Sequence, residues 1–115
     1  MKHSPLLRLN LELLPREGIW IRGTARPLEL ELRDNERVRF PEDIRVDFLA
    51  RPVRGGCLIG GRIDARATCR CDRCLREYAE EVSVDDFCQF FEELENREVD
   101  LTGTVREDIL LAFPQ

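Results

Sequence analysis

The run Cys57-Leu58-Ile59-Gly60-Gly61-Arg62-Ile63-Asp64-Ala65-Arg66-Ala67-Thr68-Cys69-Arg70 decides the architecture. On an extended backbone Cys57, Ile59, Gly61, Ile63, Ala65, Ala67 and Cys69 share one face. Leu58, Gly60, Arg62, Asp64, Arg66, Thr68 and Arg70 share the other. The first face is apolar and small, and the second carries arginines. That alternation predicts a long strand with one side in a core and one in water. Gly60-Gly61 predicts a bulge or bend within it, because adjacent glycines weaken a strand interior.

Upstream, Ile44, Val46 and Phe48 alternate with Arg45 and Asp47. They lead into Pro52-Val53-Arg54-Gly55-Gly56, where paired glycines between alternating runs predict a hairpin. Downstream, Cys71-Asp72-Arg73-Cys74 turns the chain back into Tyr78–Phe91, where Val82 and Val84 alternate more weakly. Residues 92–98 read as an acidic loop. Nearer the N-terminus, Leu7, Leu9, Leu11 and Leu13 alternate with polar residues, and Pro15-Arg16-Glu17-Gly18 forms a turn. Ile19 and Ile21 flank Trp20 in a short strand. Leu28, Leu30 and Leu32 alternate with Glu29, Glu31 and Arg33 in a third.

The last element is helical. Thr104-Val105-Arg106-Glu107 fits a capping box, Val105, Ile109, Ala112 and Phe113 follow helical spacing, and Pro114 ends the run. The expected architecture is one domain over residues 1–115, of the α+β class and mostly β. It is an antiparallel sheet or partly open barrel of about six strands, with the C-terminal helix packed on it.

The composition suits a globular chain: 115 residues, 43% hydrophobic and 36% charged. No apolar run approaches the roughly 18 residues needed to span a bilayer. Met1-Lys2-His3-Ser4-Pro5 carries no apolar signal core, so the expected compartment is the cytoplasm. The net charge of −5 conceals a polarity along the chain. Residues 1–50 are balanced, residues 51–76 hold seven arginines against two aspartates, and residues 77–108 hold twelve acids against two arginines. A basic face for RNA beside an acidic face for a basic protein is one reading of that asymmetry. Cross-strand neutralisation within a hairpin is the other.

Five cysteines in a reducing compartment point to thiols or metal ligands more than to disulfides. Cys71 and Cys74 have the spacing of one zinc knuckle, and Cys69 is a candidate third sulfur. A fourth ligand would have to come from Cys57, Cys88 or His3. The plainer expectation makes Cys57 and Cys88 small buried hydrophobes and leaves His3 in solvent. A thioredoxin-like role needs a helix after the motif to depress the thiol pKa, and β-patterned acidic sequence follows instead. With a single histidine there is no evident Ser/His/Asp or Cys/His set, and no Walker-type phosphate loop.

Three segments together resemble the YceD family, bacterial and plastid proteins linked to accumulation of large-subunit ribosomal RNA. They are Gly55–Ala65; Cys71-Asp72-Arg73-Cys74-Leu75 with the acidic β-segment ending near Phe87–Phe91; and Val99-Asp100-Leu101 followed by Val105–Pro114. The resemblance covers about residues 44–114. It implies a non-enzymatic ribosome-biogenesis factor supporting 23S ribosomal RNA maturation and large-subunit assembly; the expected partners include no membrane and no small-molecule substrate. Many relatives carry further cysteines downstream of the segment equivalent to Leu110–Pro114. The sequence to Gln115 carries none of these, so if zinc in those relatives uses both clusters, half of such a site is expected here.

With that implication, Arg62, Arg66, Arg70, Arg73 and Arg76 are the candidate contacts to ribosomal RNA or a pre-50S particle. Guanidinium groups pair phosphates bidentately. The acidic stretch 77–108 would face a basic ribosomal protein. Overall acidity favours a ribonucleoprotein over naked RNA as the target. Zinc on Cys71, Cys74 and Cys69 is the candidate cofactor. The competing readings are a protein-only adaptor for a basic ribosomal protein and a Cys-x-x-Cys thiol redox protein.

Overall fold

The structure, a computed structural model, describes residues 5–92 and 98–113. His3, the centre of the expected acidic loop, Pro114 and Gln115 lie outside the described residues. Among the described residues, seven strands and one α-helix follow in order: β1 (Arg8–Asn10), β2 (Ile19–Ala25), β3 (Val38–Arg39), β4 (Ile44–Val53), β5 (Gly56–Arg70), β6 (Glu77–Glu92), β7 (Glu98–Asp100) and α1 (Thr102–Ala112). The architecture is mostly β with a C-terminal helix, as expected.

Strand β5 is the centre of a five-stranded antiparallel sheet. It pairs β4 and then β3 along one side and β6 along the other, while β2 lies outside β4. A separate antiparallel pair joins β1 to β7. The sheets do not close into a barrel. The β4–β5 loop is Arg54-Gly55, where Gly55 takes φ +87, a conformation that favours glycine. Between β5 and β6 the Cys71 N–H donates to the Arg76 carbonyl at 2.9 Å, and the Leu75 N–H donates back to the Cys71 carbonyl at 2.9 Å.

The alternation of β5 holds throughout. Cys57, Ile59, Ile63, Ala65, Ala67 and Cys69 are buried, while Arg62, Arg66 and Arg70 are exposed. The inner face packs against Val105 and Ile109 of α1, and against Leu7, Leu30 and Leu101. Burying each such side chain contributes roughly 1.5–3 kcal/mol. Thus the strand that carries the arginines also anchors the core.

The register of β5 with β6 slips by one residue between Gly61 and Ile63. The extra residue is on β6, not at the glycines: Asp85 and Asp86 together oppose Arg62 between the pairs Gly61–Phe87 and Ile63–Val84. Val82 and Val84 therefore face inward from even positions, and Phe87 and Phe91 from odd ones. This phase change is why β6 alternates weakly in the sequence.

Three local expectations are corrected. Residues Pro27–Leu30 form a 3-10 helix, not a strand. Pro27 suits a first helical turn, and the Arg26 N–H donates to Glu29 Oε1 at 2.8 Å. Leu30 and Leu32 are buried while Leu28 faces solvent, so these leucines line no single strand face. Strand β1 is only three residues long, because Asn10 Oδ1 accepts from the Glu12 N–H and turns the chain into a 3-10 helix at Leu11–Leu13. The capping box at Thr104 does not form. Helix α1 starts at Thr102, whose N–H donates to Asp100 Oδ1 at 2.9 Å, and Thr104 lies inside it.

Candidate partner-binding surface

The outer face of the sheet displays the side chains that point away from α1. Its middle is a neutralised ionic network. Arg62 Nε donates to both oxygens of Asp64, at 3.1 and 3.0 Å, and Ser83 Oγ on β6 donates to Asp64 Oδ1 at 2.6 Å. The Arg62 hydrogen bond holds the Asp64 carboxyl below the usual carboxylate range, with burial opposing it. Arg66 lies between Glu42 (3.5 Å) and Glu81 (3.6 Å). Arg22 donates to Asp47 at 2.9 Å and stacks 4.2 Å from the centre of the Trp20 ring. Of these pairs only Arg66–Glu81 crosses the β5–β6 hairpin; Arg62–Asp64 lies within β5 and Arg22–Asp47 joins β2 to β4.

At the β5–β6 tip the balance changes. Arg70 at the end of β5, and Arg73 and Arg76 in the turn, are exposed and have no ion-pair partner among the described residues. Two other arginines near the tip are occupied, Arg37 by Asp72 at 3.4 Å and Arg39 by Glu77. The five candidate arginines thus divide. Arg62 and Arg66 are held by carboxylates within the sheet, whereas Arg70, Arg73 and Arg76 leave three guanidiniums available within one turn.

The same turn holds Cys71 and Cys74. The backbone N–H groups of Cys74 and then Arg73, together with the Cys74 thiol, lower the Cys71 pKa against desolvation and then the charge of Asp72. Cys69 points the other way. It is buried on the core face, where burial and then Glu80 push its thiol pKa up. A structural zinc takes four donors. The described residues bring two thiols together at the tip and contain no group of three or more His, Cys, Asp or Glu placed to hold a metal. The tip does not fit a complete zinc site.

Cys57 is buried as expected. Cys88 is not: the Asp85–Asp86 bulge turns it to the outer face, where it is exposed. It joins a row of side chains that the charge reading missed. Trp20, Leu49, Gly60 and Cys88 lie side by side across four strands, with Leu58 and Phe90 in the next row. Trp20 and Phe90 are each about half exposed. The signal was present for Trp20, which sits between the inward Ile19 and Ile21. For Phe90 the bulge concealed it.

Among the described residues, no helix is long and apolar enough to cross a membrane. No protein-family model, curated protein or solved structure matches the chain.

Proposed function

We propose that this protein is a non-enzymatic ribosome-biogenesis factor that binds a ribonucleoprotein intermediate of the large subunit and supports 23S ribosomal RNA maturation. The family resemblance supplies that context, and a cytoplasmic setting is proposed with it. The observation that carries the binding mode is the set of guanidiniums of Arg70, Arg73 and Arg76 at one exposed tip, which have no ion-pair partner among the described residues. Phosphate contacts need cations not already committed to carboxylates, and this turn offers three. The acidic strand β6 begins immediately after it and repels naked RNA, so a target that also presents a basic protein fits the charge pattern better.

Co-sedimentation with pre-50S particles tests this reading. Replacing Arg70, Arg73 and Arg76 with Gln weakens it, whereas Arg62→Gln leaves it unchanged. Three phosphate contacts to single-stranded RNA correspond to a slope of log affinity against log salt of about −2. Unchanged co-sedimentation of the triple variant removes the tip from the account. Zinc, suggested by the Cys71-x-x-Cys74 spacing, is tested by metal analysis of protein purified without chelator. A zinc-to-protein ratio near zero ends that idea.

A further inference from the structure

We propose that the free edge of β6, over Glu77–Val84, binds an extended basic peptide as an added strand. The inference rests on the protein arm of the reading above and needs no RNA.

The first support is backbone geometry. Strand β6 pairs only β5 among the described residues, so its other edge carries no strand. Along a strand edge, alternate residues present their N–H and C=O outward. The eight residues from Glu77 to Val84 span about 27 Å of such groups, ahead of the Asp85–Asp86 bulge that breaks the register. An incoming extended peptide satisfies them as another strand of the sheet would.

The second support is the side chains beside that edge. Of the inner row Tyr78, Glu80, Val82 and Val84, only Val82 is buried. Tyr78 is 47% exposed and Val84 is half-buried, which leaves apolar surface at the rim for the alternate side chains of an added strand. The outer row presents Glu77 and Glu81, each paired with an arginine only from the sheet side.

Charge selects the occupant. Residues 77–86 contain five acids and no lysine or arginine. Asp85 and Asp86 have no ion pair among the described residues. Acidic side chains and a bulge are how an exposed edge avoids pairing with its own kind. Two copies of β6 laid together would set glutamate against glutamate, and RNA meets the same repulsion. A strand alternating Lys or Arg with apolar residues instead places cations by the acids and apolar side chains by Tyr78 and Val84.

The test uses the full chain and a short synthetic peptide alternating lysine with valine. Fluorescence anisotropy gives its affinity, and amide hydrogen exchange gives its location. The expected result is new protection of alternate amides within Glu77–Val84. N-methylation of the peptide's alternate amides should abolish that protection and weaken binding by about tenfold or more. The Glu81→Lys/Asp85→Lys variant should bind about tenfold more weakly. These positions are exposed, and circular dichroism checks that the fold is kept. The Arg70/Arg73/Arg76→Gln variant should bind the peptide as well as the parent, so failure of the RNA contact and failure of this one are read separately. Equal affinity for the N-methylated peptide, protection elsewhere, no binding, or the same protection pattern from an RNA oligomer would each overturn the proposal.

Discussion

Phe48 on β4 and Phe87 on β6 stack with ring centroids 4.5 Å apart and planes 18° from parallel, although strand β5 runs between them. Gly61 makes this possible. It is register partner to both Phe48 and Phe87, and its missing side chain lets the β4 backbone close against it. Its φ of +154 and its closeness to β4 exclude a replacement, since a Cβ there would lie 2.1 Å from the Asp47 carbonyl oxygen. Gly61→Ala is expected to cost about 3 kcal/mol or more. Phe87→Ala is expected to cost about 3–5 kcal/mol. Urea unfolding measures both: an unshifted midpoint for Gly61→Ala would refute the close approach of β4, and an unshifted midpoint for Phe87→Ala would refute the contribution of the stack.

The bulge makes a prediction of its own. Deleting Asp86 alone leaves Val84, Phe87 and Gln89 on the inner face, because one outward residue still separates Val84 from Phe87. Its expected cost is under about 1 kcal/mol. Deleting Asp85 and Asp86 together puts Phe87 outward, removes the stack and should cost several times more. Chemical denaturation of the two deletions decides the point. Similar stabilities would mean that the slip in register is not what orients Phe87.

Thiol chemistry follows the same geometry. Cys71 is expected to alkylate fastest as pH rises toward neutrality, because N–H groups directed at its sulfur favour the thiolate at lower pH than an ordinary cysteine. Cys88 should label readily in the native state. Cys57 and Cys69, buried and with raised pKa values, should label only on unfolding. Mass spectrometry after timed alkylation gives the order, and native protection of Cys88 would place it on the wrong face.

Two carboxyls should titrate with opposite consequences. Asp64 is held low by Arg62, so its ionised form stabilises the fold above the ordinary carboxylate range, and that contribution is lost as pH falls through its folded pKa. Asp64→Asn should cost under about 1 kcal/mol at pH 7, discounted for solvent screening, and progressively less in acid. Asp108 is pushed up, first by burial and then by Asp86 and Glu107. Its ionisation opposes folding above the usual range, so Asp108→Asn should stabilise at pH 7 and lose that advantage as pH falls. Thermal melts across pH test both signs. Parallel pH dependence of the two variants would contradict them.

The amino-acid sequence by itself determined the faces of β5. A strand's side chains alternate by local geometry, so Ile59, Ile63 and Ala67 turn to the core and Arg62, Arg66 and Arg70 to water whatever lies beside them. It also determined the β4–β5 hairpin and the helical run through Val105 and Ile109. Tertiary structure decided what depends on partners. The pairing of β6 with β5 set Asp85 and Asp86 against Arg62 and so sent Phe87 inward and Cys88 out, reversing the face expected for Cys88. At Pro27–Leu30 the local signals of Pro27 and the Glu29 cap on the Arg26 N–H outweighed the alternating leucines that suggested a strand. Tertiary structure also divided the arginines. Arg62 lies beside Asp64, Arg66 reaches Glu42 and Glu81, and Arg70, Arg73 and Arg76 find no carboxylate among the described residues. Residue type places a positive charge, and only the fold determines whether a negative one stands next to it.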